Sequence, residues 1–124
     1  TVPARLENAV LFGVRAIDPA EAATIAAEGL VNTTDAAVFA GCLAGRERVY
    51  VHLDIDVHDA RGLATSAFCA EGGPSADAVR DALLNLVNVK ALSLTGLDPA
   101  APDAARAAEI AIAHILAFVG AQRV

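Results

Sequence analysis

The chain has 124 residues, of which 56% are hydrophobic and 19% charged, and a formal net charge of −6. This is enough apolar material for one core and too little length for two, so residues 1–124 are expected to form a single domain. The acidic balance, with no Lys/Arg cluster, excludes a surface that tracks a phosphate backbone, so nucleic acid is not an expected partner.

With 4% aromatic residues and neither Trp nor Met, the interior must be built from Ala, Val, Leu and Ile, which favours helices packed on a sheet. The continuous apolar run "AVLFGV", Ala9 to Val14, reads as a strand buried on both faces. In "DPAEAATIAAEG" Asp18 can cap a helix, Pro19 suits its first position, Glu21 completes a capping box and Gly29 stops it. "LVNTT" is a weaker strand or a turn. Asp35 then starts a short helix, "DAAVFAGCLAG", ended by Gly45. The charged "RER" is a turn before the strand "VYVHLDID", and residues 57 to 74 form a long loop with little periodicity. Ser75 caps "ADAVRDALLNLVN", whose Val79, Leu83, Leu86 and Val87 share one helical face. A strand "VKALSLT", a loop "GLDPAAP" and a final helix from Asp103 to Gly120 complete the chain. Strands alternating with helices predict an α/β layered domain with a mostly parallel sheet.

Cys42 and Cys69 lack the spacing of a zinc or redox motif and are read as buried free thiols. No apolar run reaches the roughly 18 residues of a membrane span, the longest, Ile110 to Val119, being interrupted by His114, so no membrane partner is expected. No secretory signal pattern precedes the first element, which makes the cytoplasm the default location. The sequence opens on Thr1 and has no Met, so it is expected to be processed or cut from something longer.

The chemistry is concentrated in "VYVHLDIDVHDA", where an apolar strand empties into Asp54, Asp56 and Asp59. In open parallel sheets ligands bind beyond the carboxyl ends of the strands, where Asp54 and Asp56 lie. If the extended chain continues through Ile55, the two carboxylates project together. A close pair of like charges needs a proton or a cation between them, and oxygen ligands suit Mn²⁺ or Mg²⁺. The bland alternative is that these acids are solvated residues at the start of a loop, since Asp-x-Asp alone is a weak motif.

"VYVHLDIDVHDA" resembles the second metal motif of the ureohydrolases, the arginase and agmatinase family, in which an apolar strand runs into Asp-x-Asp-x-x-Asp-Pro. "AVLFGVRAIDPAEAATIAAEG" is similar to the strand, Gly-x-Arg turn and acidic helix before that motif. "GGPSADAVRDAL" and "ALSLTGLDPAAPDAARAAEIAIAHIL" resemble the family segments that follow it. The resemblance implies a three-layer α/β/α fold with a mostly parallel sheet, of which this chain is the C-terminal half. It also implies two Mn²⁺ ions whose bridging hydroxide attacks the central carbon of a guanidino compound or linear amidine. By motif match Asp54 and Asp56 would be metal ligands, and Asp59 a loop-shaping residue. The family's other ligands, a Gly-Gly-Asp-His segment and an Asp-x-His-x-Asp cluster, have no match here. The isolated chain is therefore expected to be inactive, and to associate with a missing N-terminal half or with copies of itself. Gly96 in "TGLDP" replaces the family's substrate-facing Glu, and Ala60 replaces the motif's Pro.

Other readings compete. His52, Asp54, Asp56 and His58 would share one face of a fully extended chain as a self-contained mononuclear site. "DIDVH" is also similar to the histone-deacetylase branch of the fold, although His58 lacks the His-Gly-Asp-Gly that should follow. Thr1 invites an N-terminal nucleophile hydrolase, without the strand pattern that such an enzyme needs. His114, among Ile110, Ile112 and Ile115, reads as a packed helix residue, and Glu21 and Glu28 as capping and solvated charges. From another class, the chain could be a non-catalytic arginase-like subunit or interaction domain that has lost the complete metal site.

Overall fold

The computed structural model describes residues 5–122, and Thr1 lies outside them. After a 3-10 turn at Leu6–Asn8 come β1 (Val10–Phe12), α1 (Pro19–Ala27), β2 (Val31–Thr33), α2 (Ala36–Leu43), β3 (Val49–Asp54), α3 (Ala76–Leu84), β4 (Val89–Thr95) and α4 (Ala104–Ala121). A second 3-10 turn, Ile55–Val57, follows β3 directly.

The helix starts follow local chemistry. Asp18 Oδ1 accepts from the N–H groups of Ala20 and Glu21 at 2.7 and 2.9 Å while Glu21 accepts from Asp18 N, a complete capping box. Asp35 caps α2 by accepting from the N–H groups of Ala37 and Val38, and Ser75 caps α3 by accepting from Ala78 N, each without a reciprocal bond. Asp103 behaves differently. Its carboxylate accepts from Ala64 N at 2.7 Å and its own N–H donates to Ala64 O, so it fastens the long loop to the start of α4.

The strands form two parallel ladders. β1 pairs with β2 from Val10↔Val31 to Phe12↔Thr33, and β3 pairs with β4 from Val49↔Val89 to Asp54↔Thr95. Lys90 is the extra residue of a bulge near the start of the second ladder. On one side α2 packs on α3 and α3 on α4. Leu53, Val79, Leu83, Leu86 and Phe118 make the main core, and Ile55, Leu63, Ala107 and Ala111 a second one beneath the loop.

Several expectations change. Val79 and Leu83 are buried on α3, which ends at Leu84; of the two residues past its end, Leu86 turns into the core and Val87 is exposed. β1 carries the pattern of a strand buried on both faces, yet all three of its residues are only half-buried. Cys42 and Cys69 are free, as expected, but half-buried, with Cys69 Sγ donating to Ser66 O at 3.0 Å. The last helix continues through Gly120, and over its 18 residues it is apolar enough to cross a membrane by length and composition alone. In the fold it packs through Ala107, Ala111, His114 and Phe118.

Candidate metal centre

The site lies where β3 ends. Asp54 is still in register with Thr95, and the chain then tightens into the Ile55–Val57 3-10 turn instead of staying extended. Asp54 is the cap of that turn, its Oδ1 accepting from Asp56 N at 3.1 Å. The two acids therefore meet through a turn and not through strand alternation. Their carboxyl groups lie within hydrogen-bonding reach of each other, and the Asp56 pKa is raised, first by burial and then by the charge of Asp54, with Arg15 opposing. Asp54 Oδ2 also accepts from Thr95 Oγ1 at 3.2 Å.

A hydrogen-bonded row runs down the open face of β3 and β4 from this point. Thr95 Oγ1 lies 3.4 Å from His52 Nε2, His52 Nδ1 lies 2.8 Å from Ser93 Oγ, and Ser93 Oγ lies 2.8 Å from Tyr50 OH. His52 is thus linked to Asp54 through Thr95.

His58 goes the other way. It is buried, with Nδ1 2.8 Å from Ile55 O and Nε2 3.0 Å from His114 Nε2, the two rings being stacked at an interplanar angle of 10°. The even-numbered His-Asp-Asp-His face does not form, because the 3-10 turn rotates His58 into the core. Among the described residues no cluster of three or more His, Cys, Asp or Glu could hold a metal.

Sequence reasoning passed over the residue that holds this corner together. Arg15, just beyond β1, donates to five carbonyl oxygens, those of Gly13, Asp56, Val57, His58 and Ala70, at 2.6 to 3.2 Å. Its guanidinium fixes both the turn carrying Asp56 and the long loop. The only sequence signal was a Gly-x-Arg tripeptide after a strand. Its surroundings explain nearby glycines. A Cβ on Gly73 would lie 2.5 Å from Val57 O and 2.6 Å from Arg15 Cζ, and Gly13, at φ +69°, sits against Pro74 and Val57.

Asp59 shapes the loop as expected. Its carboxylate accepts from Arg61 N at 3.0 Å, and that bond is the first cause of its lowered pKa. Gly96 has φ +80°, and a Cβ there would run into the Asp54 carboxylate. A side chain at position 96 would therefore have to displace the Asp54 carboxylate.

No family model and no curated protein matches the sequence. Solved structures do. The fold superposes on Helicobacter pylori arginase with a TM-score of 0.78 at 17% identity, covering 93% of this chain and 44% of that one. Against Bacillus subtilis arginase the TM-score is 0.81 at 20% identity, with 92% and 44% covered. The fold is arginase-like. An Entamoeba histolytica arginase in complex with L-ornithine agrees, with a TM-score of 0.75 at 13% identity, 90% of this chain and 42% of that one. The chain spans less than half the length of these structures, so it represents a partial arginase-like fold.

Proposed function

We propose that this chain contributes Asp54 and Asp56 to a manganese centre in an arginase-like hydrolase of guanidino compounds or linear amidines, the remaining ligands coming from the rest of the fold. The observation that carries the proposal is the juxtaposed pair itself. Two carboxyls share the end of a parallel ladder, the only side chain within hydrogen-bonding reach of the Asp56 carboxyl among the described residues is the like-charged Asp54, and none of the ion pairs among those residues involves either acid. An oxygen-only donor set of this kind fits Mn²⁺ or Mg²⁺, and two acids are too few to retain a pair of ions alone. Manganese bound there would supply Lewis-acid activation of a water for attack on a guanidinium carbon.

The chain's own residues orient and charge the site. Thr95 and the Asp56 N–H hold the Asp54 carboxylate in place, and Arg15 holds the turn that presents Asp56. The arginase-like neighbours support the substrate class, one of them having been solved with L-ornithine bound.

A second reading, a non-catalytic arginase-like subunit, draws on Gly96, where a substrate-facing side chain cannot be built without displacing Asp54. Metal analysis separates the two. The protein, purified with any chain that accompanies it, is expected to carry two Mn per complex, to lose them on Asp54→Asn and Asp56→Asn, and to release urea from a guanidino compound. Absence of metal in the intact complex would leave only the subunit reading.

A further inference from the structure

We infer that the buried pair His58 and His114 positions Asp56, holding closed the turn that carries its carboxyl to Asp54. The consequence for metal binding rests on the manganese reading, and the consequence for the turn does not.

The turn makes the acid pair. Two residues of straight strand advance the chain by roughly 6.7 Å, against about 4 Å in a 3-10 turn, so the change of path after Asp54 draws Asp56 back toward it. Ile55 anchors this segment in the core, but apolar contact is non-directional and does not choose one backbone path. Hydrogen bonds do. The four consecutive carbonyls after Asp54 all have side-chain donors, Arg15 serving Asp56, Val57 and His58 from one side while His58 Nδ1 serves Ile55 O from the core at 2.8 Å. The ring of His58 thus reaches back across Asp56 to the carbonyl of the residue between the two acids. A contact that only fastened the loop to the core could end anywhere along residues 57 to 74.

That bond needs its proton on Nδ1, and His114 secures it there. Ile55 O only accepts, so His58 Nδ1 is the donor. The two Nε2 atoms lie 3.0 Å apart, a distance at which they hold one proton between them, and that proton belongs to His114. His114 thereby denies His58 the other tautomer, in which a nitrogen lone pair would face the lone pairs of Ile55 O.

The position of His114 supports this role. It lies on the buried face of α4 with Ala107, Ala111 and Phe118, and its Nδ1 is buried without a hydrogen-bond partner. An aliphatic side chain would be less costly to bury there. What the imidazole supplies in exchange is its donor to His58.

The test uses the protein purified with any chain that accompanies it. In the metal-free wild type, nitrogen NMR is expected to find the His58 proton on Nδ1. In His114→Leu the Asp56 amide, which donates to Asp54 Oδ1, is expected to exchange at least about tenfold faster relative to the ladder amides of β4 in the same protein. Mn²⁺ affinity is expected to fall by about 10–100-fold. His114→Gln, whose side-chain N–H can donate to His58 Nε2, restores the slow Asp56 exchange and the affinity. A loss of general stability would instead speed the β4 amides equally, and that result would overturn the inference. So would a wild-type His58 proton on Nε2, an Asp56 amide unmoved by His114→Leu, or a loss that glutamine does not repair. A wild-type complex that binds no manganese would remove the manganese reading alone, and the amide exchange would then decide the role of the pair.

Discussion

Acidification should destabilise this fold through one buried pair of imidazoles. A carbonyl only accepts, so His58 Nδ1 carries the proton donated to Ile55 O, its Nε2 is the acceptor, and His114 Nε2–H donates to it. His114 Nδ1 is then a buried acceptor without a partner. Burial, followed by the neighbouring His58 and Arg80 and opposed by Asp77, pushes the His114 pKa down from 6.5 to about 4. Burial likewise lowers His58, against the bond to Ile55 O. The folded pKa is below the unfolded one, so nothing is lost at pH 7.5. As pH falls through 6.5 the unfolded chain binds a proton that the folded chain refuses, until the loss saturates near pH 4. For His114 the difference amounts to about 2 kcal/mol at pH 5 and about 3 kcal/mol at saturation. In a domain of this size that is a fall in Tm of roughly 8 °C by pH 5. Urea titrations at pH 7.5, 6 and 5 on the wild type and on His114→Leu measure it, the variant losing about one proton's worth of slope between pH 6 and 5. Equal slopes in the two proteins, or an imidazole of His114 titrating near 6.5 by NMR, would refute the reasoning.

Arg15→Lys should destabilise by about 2–4 kcal/mol in urea titrations, since one ammonium cannot reach the five carbonyls that the guanidinium serves, and buried acceptors are left unpaired. An Arg15→Lys protein as stable as wild type would remove Arg15 from the centre of this account. Without metal, Asp56→Asn should raise Tm by a few degrees, because the folded pKa of Asp56 is raised and its charge is unfavourable above that pKa. Added Mn²⁺ should stabilise the wild-type complex and leave this variant unmoved in the same thermal scan. Gly96→Ala should cost at least about 2 kcal/mol, from the positive φ and the collision with Asp54, and chemical denaturation would show it.

Much of the fold was legible because its signals are local. Asp18 with Glu21, Asp35 and Ser75 cap where short-range hydrogen bonding says they should, and Val49 to Asp54 is a strand by composition. The acid pair was legible for a reason that proved partly different. Asp54 and Asp56 do approach each other, but through an Asp-capped 3-10 turn rather than a straight strand. That turn is decided by Ile55, which is fully buried against Leu63, Ala107 and Ala111, contacts 8 to 56 residues away in sequence. The His58–His114 contact was illegible on the same grounds, since neither residue's neighbours in sequence point to the other.

Composition, caps and hydrophobic period alone establish an α/β chain with carboxylates at the end of a parallel strand, because capping and amphipathicity act over a few residues. Tertiary structure decided which side chains meet: Arg15 gathering carbonyls from two distant segments, the histidines closing on each other in the core, Gly96 yielding its space to Asp54, and a cleft left between the ladders. These depend on where packing brings remote backbone together, and a local pattern carries no record of that distance.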